Sequence, residues 1–166
     1  MIIEGPAVIV PGDNIDTDVL YPGSRLNIDD PADMKPYLFE GLDPRLREQL
    51  RPSCVLIVGD NFGSGSSREH VPLAMKSWGV GCVLGKSFAR IFHRNCINLG
   101  LPVMACPDAV DAATSSSVVR IDSDAGAVEV DERTFRVPPV PDFMRALIEA
   151  GGLVPWTRQR LGAAEA

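Results

Sequence analysis

Long apolar runs are missing from this sequence. The longest uncharged apolar stretches, residues 54–59 and 80–85, fall far short of the ~18–20 residues that a membrane-spanning helix needs. Residues 1–11 hold no lysine or arginine and only a short apolar run, so they do not read as a secretory signal. A basic excess is missing too: 22 acidic side chains stand against 16 basic ones, a net charge of −6. Nucleic acid is bound by basic faces, which argues against it as the main partner, whereas a small anion needs only a few local arginines. Cysteine is scarce. Cys54, Cys82, Cys96 and Cys106 form no Cys-x-x-Cys pair, and no Cys/His cluster has metal-ligand spacing. They read as reduced, buried thiols in a cytoplasmic protein, with no metal site on this chain.

What is present is ordinary globular material, with 45% apolar and 23% charged residues. The 166 residues fit a single domain, residues 1–166, with a frayed tail from about residue 160. Residues 7–10 read as a short strand closed by Pro11-Gly12, residues 12–18 as an acidic loop, residues 30–40 as a weak helix after Pro31, and residues 41–52 as a surface segment with one helical turn. The clearest stretch follows. An apolar strand (54–59) leads through a Gly/Ser loop to a helix over 69–78, with Val71, Met75 and Trp78 at helical spacing. A second strand (81–85), a second helix (88–99, stopped by Gly100) and a third strand (101–105) complete the series. Such βαβαβ units are parallel with right-handed crossovers, and fully apolar strands fit a sheet covered on both faces. The class is therefore α/β. Residues 111–117 read as a small-residue linker, residues 118–122 and 127–130 as a hairpin, and residues 133–137 as a further strand. Phe143, Leu147 and Ile148 mark a short helix ending at Gly151-Gly152.

Ligands in open α/β sheets bind beyond the carboxyl ends of the strands. The loop there is residues 59–70. Gly63 and Gly65 can take positive φ, and Ser66 and Glu69 have capping-box spacing before a helix whose N-terminus suits an anion. Pro72 belongs in a first helical turn, so the helix can start a few residues beyond Ser66. Arg68 adds a planar, bidentate carboxylate partner. A Gly-rich turn with a cap and no ligand fits the same residues. The loop lacks the Gly-Lys-Ser/Thr ending of a P-loop and the Gly-x-Ser-x-Gly of a nucleophile elbow. A Ser–His pair through His70 or His93 finds no support in spacing. In the next loop Ser87 reads as a cap, and Arg90 and Arg94 form a like-charge pair that is unfavourable without an anion. A solvated basic face fits that pair equally. Residues 12–18 lack the Gly and terminal Glu of a calcium loop.

Three segments in order, residues 12–18 with Tyr21-Pro22-Gly23, residues 61–70, and residues 86–98 with Gly100-Leu101-Pro102, resemble the small subunits of 3-isopropylmalate dehydratase, equivalent to the swivelling domains of aconitases. The specific part is Gly65-Ser66-Ser67-Arg68-Glu69-His70 together with Ser87-Phe88-Ala89-Arg90-Ile91-Phe92. The resemblance implies an aconitase-type swivelling domain, a three-layer β/β/α fold around the parallel core. It implies a hydro-lyase that isomerises 2-isopropylmalate and 3-isopropylmalate by dehydration and rehydration in leucine biosynthesis. Activity would require a large subunit carrying a [4Fe–4S] cluster, with no cofactor on this chain; self-association of the isolated chain stays open. Neighbouring readings are a small subunit acting on homoaconitate or a methyl-substituted malate, and a non-catalytic dicarboxylate-binding module.

Residue by residue, the resemblance makes Ser66 the catalytic base, Ser67 and Arg68 ligands of the hydroxy-dicarboxylate, and Asp18 the acidic residue of the Thr-Asp element. Ser64 stands where relatives often carry Cys. In relatives the loop after the Thr-Asp element reads the substrate's variable group, and Arg25, Leu26 and Asn27 fall there, with Arg25 and Asn27 as candidate ligands. Neutral Asn27 and apolar Leu26 favour an alkyl-malate, whereas Arg25 turned into the site would pair a further carboxylate. A serine hydroxyl is a poor base, so it needs positive surroundings, which Arg68 and the helix end supply.

Overall fold

The computed structural model describes residues 1–164, with side chains through residue 162. Its strands are β1 (Ile2–Ile9), β2 (Val55–Val58), β3 (Cys82–Gly85), β4 (Val103–Ala105), β5 (Val118–Asp122), β6 (Ala127–Val130) and β7 (Arg133–Arg136). They form one mixed sheet in the order β4-β3-β2-β1-β5-β6-β7. The first four are mutually parallel and the rest antiparallel. Helices are α1 (Thr17–Leu20), α2 (Pro31–Met34), α3 (His70–Ser77), α4 (Arg90–Asn98), α5 (Pro107–Ala112), α6 (Asp142–Glu149) and α7 (Leu153–Ala164).

Strand pleating sorts the core into two layers. Leu56 and Val58 of β2 join Val8, Val83 and Val103 on the face covered by Val71 and Met75 of α3, Phe92 and Cys96 of α4, and Leu147 of α6. Val55 and Ile57 point the other way, with Ala7, Cys82 and Leu84. There they meet Val119, Ile121, Val128 and Val130 of the antiparallel strands and Ala109 of α5. The result is helices, parallel strands, then antiparallel strands: the three-layer β/β/α arrangement on a β2-α3-β3-α4-β4 core.

β1 is longer than its sequence suggests and lies in the middle of the sheet. Gly5-Pro6 reads as a strand breaker, yet the strand runs through it. Residues 2–6 pair with β5 (Pro6 opposite Val118) and residues 7–9 pair with β2 (Ala7 opposite Val55). The N–H that proline lacks falls where the strand changes partner. A Cβ at Gly5 would stand 1.9 Å from the Ser53 carbonyl oxygen.

Three further readings change. The small residues after β4 include a helix, α5, which packs Ala109 into the core. The tail read as frayed from about residue 160 is helical through Ala164 in α7, where Trp156 meets Phe143 edge-on (5.3 Å between centroids) and carries Arg160 over its ring (4.6 Å). Residues 165 and 166 lie outside the described residues. Residues 41–52 hold the expected helical turn as a short 3-10 helix, Pro44–Gln49, but are not wholly at the surface, since Leu46 and Leu50 are buried.

Candidate active site

Three loops meet at the carboxyl ends of the parallel strands: residues 10–16 after β1, residues 59–69 after β2, and residues 86–89 after β3. The middle loop is laced to both neighbours. On one side Gly63 N–H donates to the Ile15 carbonyl (2.9 Å), Thr17 N–H to Ser64 (2.8 Å) and Asn14 N–H to Asp60 (2.8 Å). Asp60 N–H donates to Asp13 Oδ1 (2.8 Å), and Asn61 Nδ2 to Asn14 Oδ1 (3.1 Å). On the other side Phe62 N–H donates to the Ser87 carbonyl (3.2 Å) and Ala89 N–H to that of Phe62 (3.0 Å). Ser87 Oγ accepts from Asn61 N–H (2.8 Å) and donates to Asp60 Oδ1 (3.0 Å). Ser87 is thus a tie between loops rather than the cap of α4, a position held by Ala89 without a side-chain bond.

Two glycines make this weave possible. Gly63 and Gly65 have φ of +81° and +88°, and a Cβ would stand 2.2 Å from Phe92 Cγ at one and 2.6 Å from Asp16 Oδ2 at the other.

The loop presents Ser66 and Ser67 to solvent. The Ser66 carbonyl accepts a hydrogen bond from Oγ1 of buried Thr17 (2.7 Å), which fixes the backbone beneath the hydroxyl. Ser67 Oγ accepts from Asn95 Nδ2 of α4 (3.1 Å). The Ser66–Glu69 capping box does not form. Helix α3 begins at His70, with Glu69 in the cap position and no side-chain bond, because Pro72 must occupy the first turn. The Ser66 hydroxyl is therefore not committed to a helix end.

Arg68 is only 13% exposed at its side chain, with Nη2 2.7 Å from Asp18 Oδ1. Its Nη1 donates to the Tyr21 carbonyl (2.7 Å), and its buried Nε has no acceptor among the described residues. Asp16 caps α1 by accepting from Asp18 N–H (2.6 Å), which leaves the Asp18 carboxylate for Arg68. Asp18 and Arg68 are thereby joined, and Ser66 and Ser67 precede Arg68 on the same braced loop. Arg25 and Asn27 lie nearby in sequence on an exposed loop, residues 21–28, that Arg68 grips through Tyr21. The Arg25 guanidinium lies over the Tyr37 ring, 4.8 Å from its centroid. Tyr21 is fully buried, and burial pushes its hydroxyl above the ordinary range, so it stays protonated and donates to the Arg25 carbonyl (3.1 Å).

Sequence reasoning missed Thr17 as a backbone brace and Asn95 as the partner of Ser67; neither contact leaves a spacing signal. Arg90 and Arg94 are exposed near the start of α4 and have no ion-pair partner among the described residues. Arginine at the positive end of a helix strengthens an anion-attracting field. The cysteines take no part. Burial pushes the Cys82 thiol up to about 12 and raises Cys54 and Cys96, which disfavours the thiolate that a metal would require. Among the described residues no group of three or more His, Cys, Asp or Glu could hold a metal ion.

Residues 13–108 match the family model of the aconitase C-terminal domain. The 3-isopropylmalate dehydratase small subunit of Caldanaerobacter subterraneus subsp. tengcongensis is 43% identical over 152 residues, 90% of this chain and 94% of that protein. The 3-isopropylmalate dehydratase small subunit 1 of Methanopyrus kandleri is 44% identical over 155 residues, 92% of this chain and 91% of that one. A crystal structure of 3-isopropylmalate dehydratase (leuD) from Methanocaldococcus jannaschii superposes with a TM-score of 0.90 at 34% identity, covering 100% of both chains. A chain whose fold and sequence agree with these relatives over nearly its whole length belongs to the family of 3-isopropylmalate dehydratase small subunits, built on the aconitase C-terminal domain.

Proposed function

We propose that this chain is the small subunit of a two-subunit hydro-lyase that interconverts 2-isopropylmalate and 3-isopropylmalate, a step of leucine biosynthesis. The observation that carries this reading is the exposed Ser66-Ser67 pair on a loop braced from both sides and followed by the Arg68–Asp18 pair. Ser66, as the alkoxide, takes the proton α to a carboxylate. The electron pair released forms the carbon–carbon double bond as the hydroxyl departs, and re-addition at the neighbouring carbon completes the isomerisation. Ser67 and Arg68 hold the malate carboxylate; Asp18 fixes the guanidinium for that role. Arg68, Arg90 and Arg94 supply the positive field that makes a serine oxygen a usable base. The Lewis acidity required by the leaving hydroxyl comes with a large subunit carrying a [4Fe–4S] cluster. Four buried thiols support a reducing, cytoplasmic setting, and no helix among the described residues is long and apolar enough to cross a membrane.

The position of Arg25 over Tyr37 supports an alkyl-malate substrate over a tricarboxylate, because an added buried carboxylate would need that cation. The test is reconstitution. The purified chain alone gives no turnover, and mixing it with its cognate large subunit restores dehydration, with the highest kcat/KM for 3-isopropylmalate among isopropylmalate, a methyl-substituted malate and homoaconitate. Turnover by the lone chain, or a preference for homoaconitate that Arg25→Ala abolishes, overturns the reading.

A further inference from the structure

His70 is absorbed by none of the roles above, although it closes the Ser66–His70 segment. Its ring packs on buried Tyr21, 5.1 Å between centroids, and its Nε2 donates to the Ile28 carbonyl at 3.0 Å. Three side-chain bonds thus hold the loop of residues 21–28. Arg68 Nη1 holds the Tyr21 carbonyl, the Tyr21 hydroxyl holds the Arg25 carbonyl, and His70 holds Ile28 at the far end. Tyr37 stands edge-on to Tyr21 (6.3 Å) and receives the Arg25 guanidinium on its face. Between the anchors lie Arg25, Leu26 and Asn27, all exposed. Two of the three bonds originate from Arg68 and His70, on the segment that carries Ser66 and Ser67. The loop and the serine segment are therefore held in one fixed relation.

We propose that His70, acting through Tyr21 and Ile28, is a positioning residue that sets which substituent on the malate core is accepted. This rests on the dehydratase reading of the same site. A loop tied at both ends offers one arrangement of Leu26 and Asn27 to the substrate; released at Ile28, it offers many, and discrimination falls while the serine and its brace by Thr17 stay in place. Glutamine at position 70 can present an amide N–H to the Ile28 carbonyl, and leucine cannot.

The test uses His70→Leu, His70→Gln and Tyr21→Phe in the reconstituted two-subunit enzyme, with hydrogen exchange of the isolated chain alongside. In His70→Leu, KM for 3-isopropylmalate is expected to rise about tenfold with kcat within about twofold of wild type, as for loss of uniform binding. The kcat/KM ratio between isopropylmalate and a methyl-substituted malate is expected to move toward one. Amide exchange at Arg25 and Ile28 accelerates, and His70→Gln restores all three properties. Tyr21→Phe, a milder change, shifts KM and selectivity in the same direction. A fall in kcat at unchanged KM, unaltered selectivity, or unaltered loop exchange in His70→Leu overturns the proposal. A wild-type complex that turned over no hydroxy acid would instead overturn the dehydratase reading, and the exchange experiment distinguishes the two failures.

Discussion

At the scale of single residues, the candidate site sets a side chain open to solvent beside a fixed one. Ser66 is held at its carbonyl with its hydroxyl unpaired among the described residues, while Arg68 is largely buried and committed at both terminal nitrogens. Replacing Ser66 by Ala removes the proposed base and leaves the backbone brace intact. Turnover of the reconstituted enzyme should fall by about 10²–10⁴ with KM little changed, the range for losing a positioned base. Arg68→Lys should raise KM, because an ammonium cannot hold Asp18, the Tyr21 carbonyl and a substrate carboxylate with fork geometry. Steady-state kinetics on both variants checks the contrast, and near-full activity in Ser66→Ala removes it from the chemistry. The chemical types were legible in the sequence; their contacts were not. Asn14 and Asn61 meet across 47 residues of chain, and neither local spacing nor propensity encodes that meeting.

Elements divide in the same way. Strands β2, β3 and β4 and helices α3 and α4 were legible because apolar runs alternate with helical spacing and end at glycines. What failed was local chemistry overruled by distant partners. The strand read from residue 7 starts at Ile2, and Pro6 sits at a change of partner within β1. Ser66 and Glu69 looked like a capping box, but α3 starts only at His70, with Glu69 itself in the cap position and Pro72 in the first turn. Leu46 and Leu50 sit among charges and prolines and are nonetheless buried. Helix α4 also carries a pH signature. His93 is half-buried at a cavity also lined by Met104, Pro138 and Met144, and burial pushes its imidazole below the ordinary 6.5. The unfolded chain then binds the proton more readily. The contribution of this group is complete above pH 6.5 and is lost as the pH falls through the lower folded value. The melting temperature of the isolated chain should decline over that interval, and His93→Gln should flatten the decline. A slope that survives the substitution assigns it to other groups.

For the whole molecule the decisive element is β1, which joins the parallel and antiparallel halves. We propose that the two halves form one folding unit. Gly5→Ala tests it, since a methyl group there must displace the Ser53 carbonyl from 1.9 Å. Overpacking of this kind costs about 1–3 kcal/mol, occasionally more. Thermal unfolding followed by Trp fluorescence and by far-UV circular dichroism should shift together to lower temperature in the variant. Transitions that separated would show two units joined by a strand.

The partner change within β1 also fixes an order in time. Strand β1 precedes both of its partners in the chain, so neither half can pair until later residues are made. Its second half waits for Val55, and its first half waits for Val118 through Asp122, whose rung with Ile2 closes a loop from residue 2 to residue 122. Pairings so remote in sequence make for slow folding, and a nascent strand without its neighbours is open to strangers. Glu4 and Pro6 sit in the middle of that strand, a charge and a missing donor that spoil it as a template for another copy. The residues that obscure β1 in the sequence are the ones that protect it while the chain is still being made.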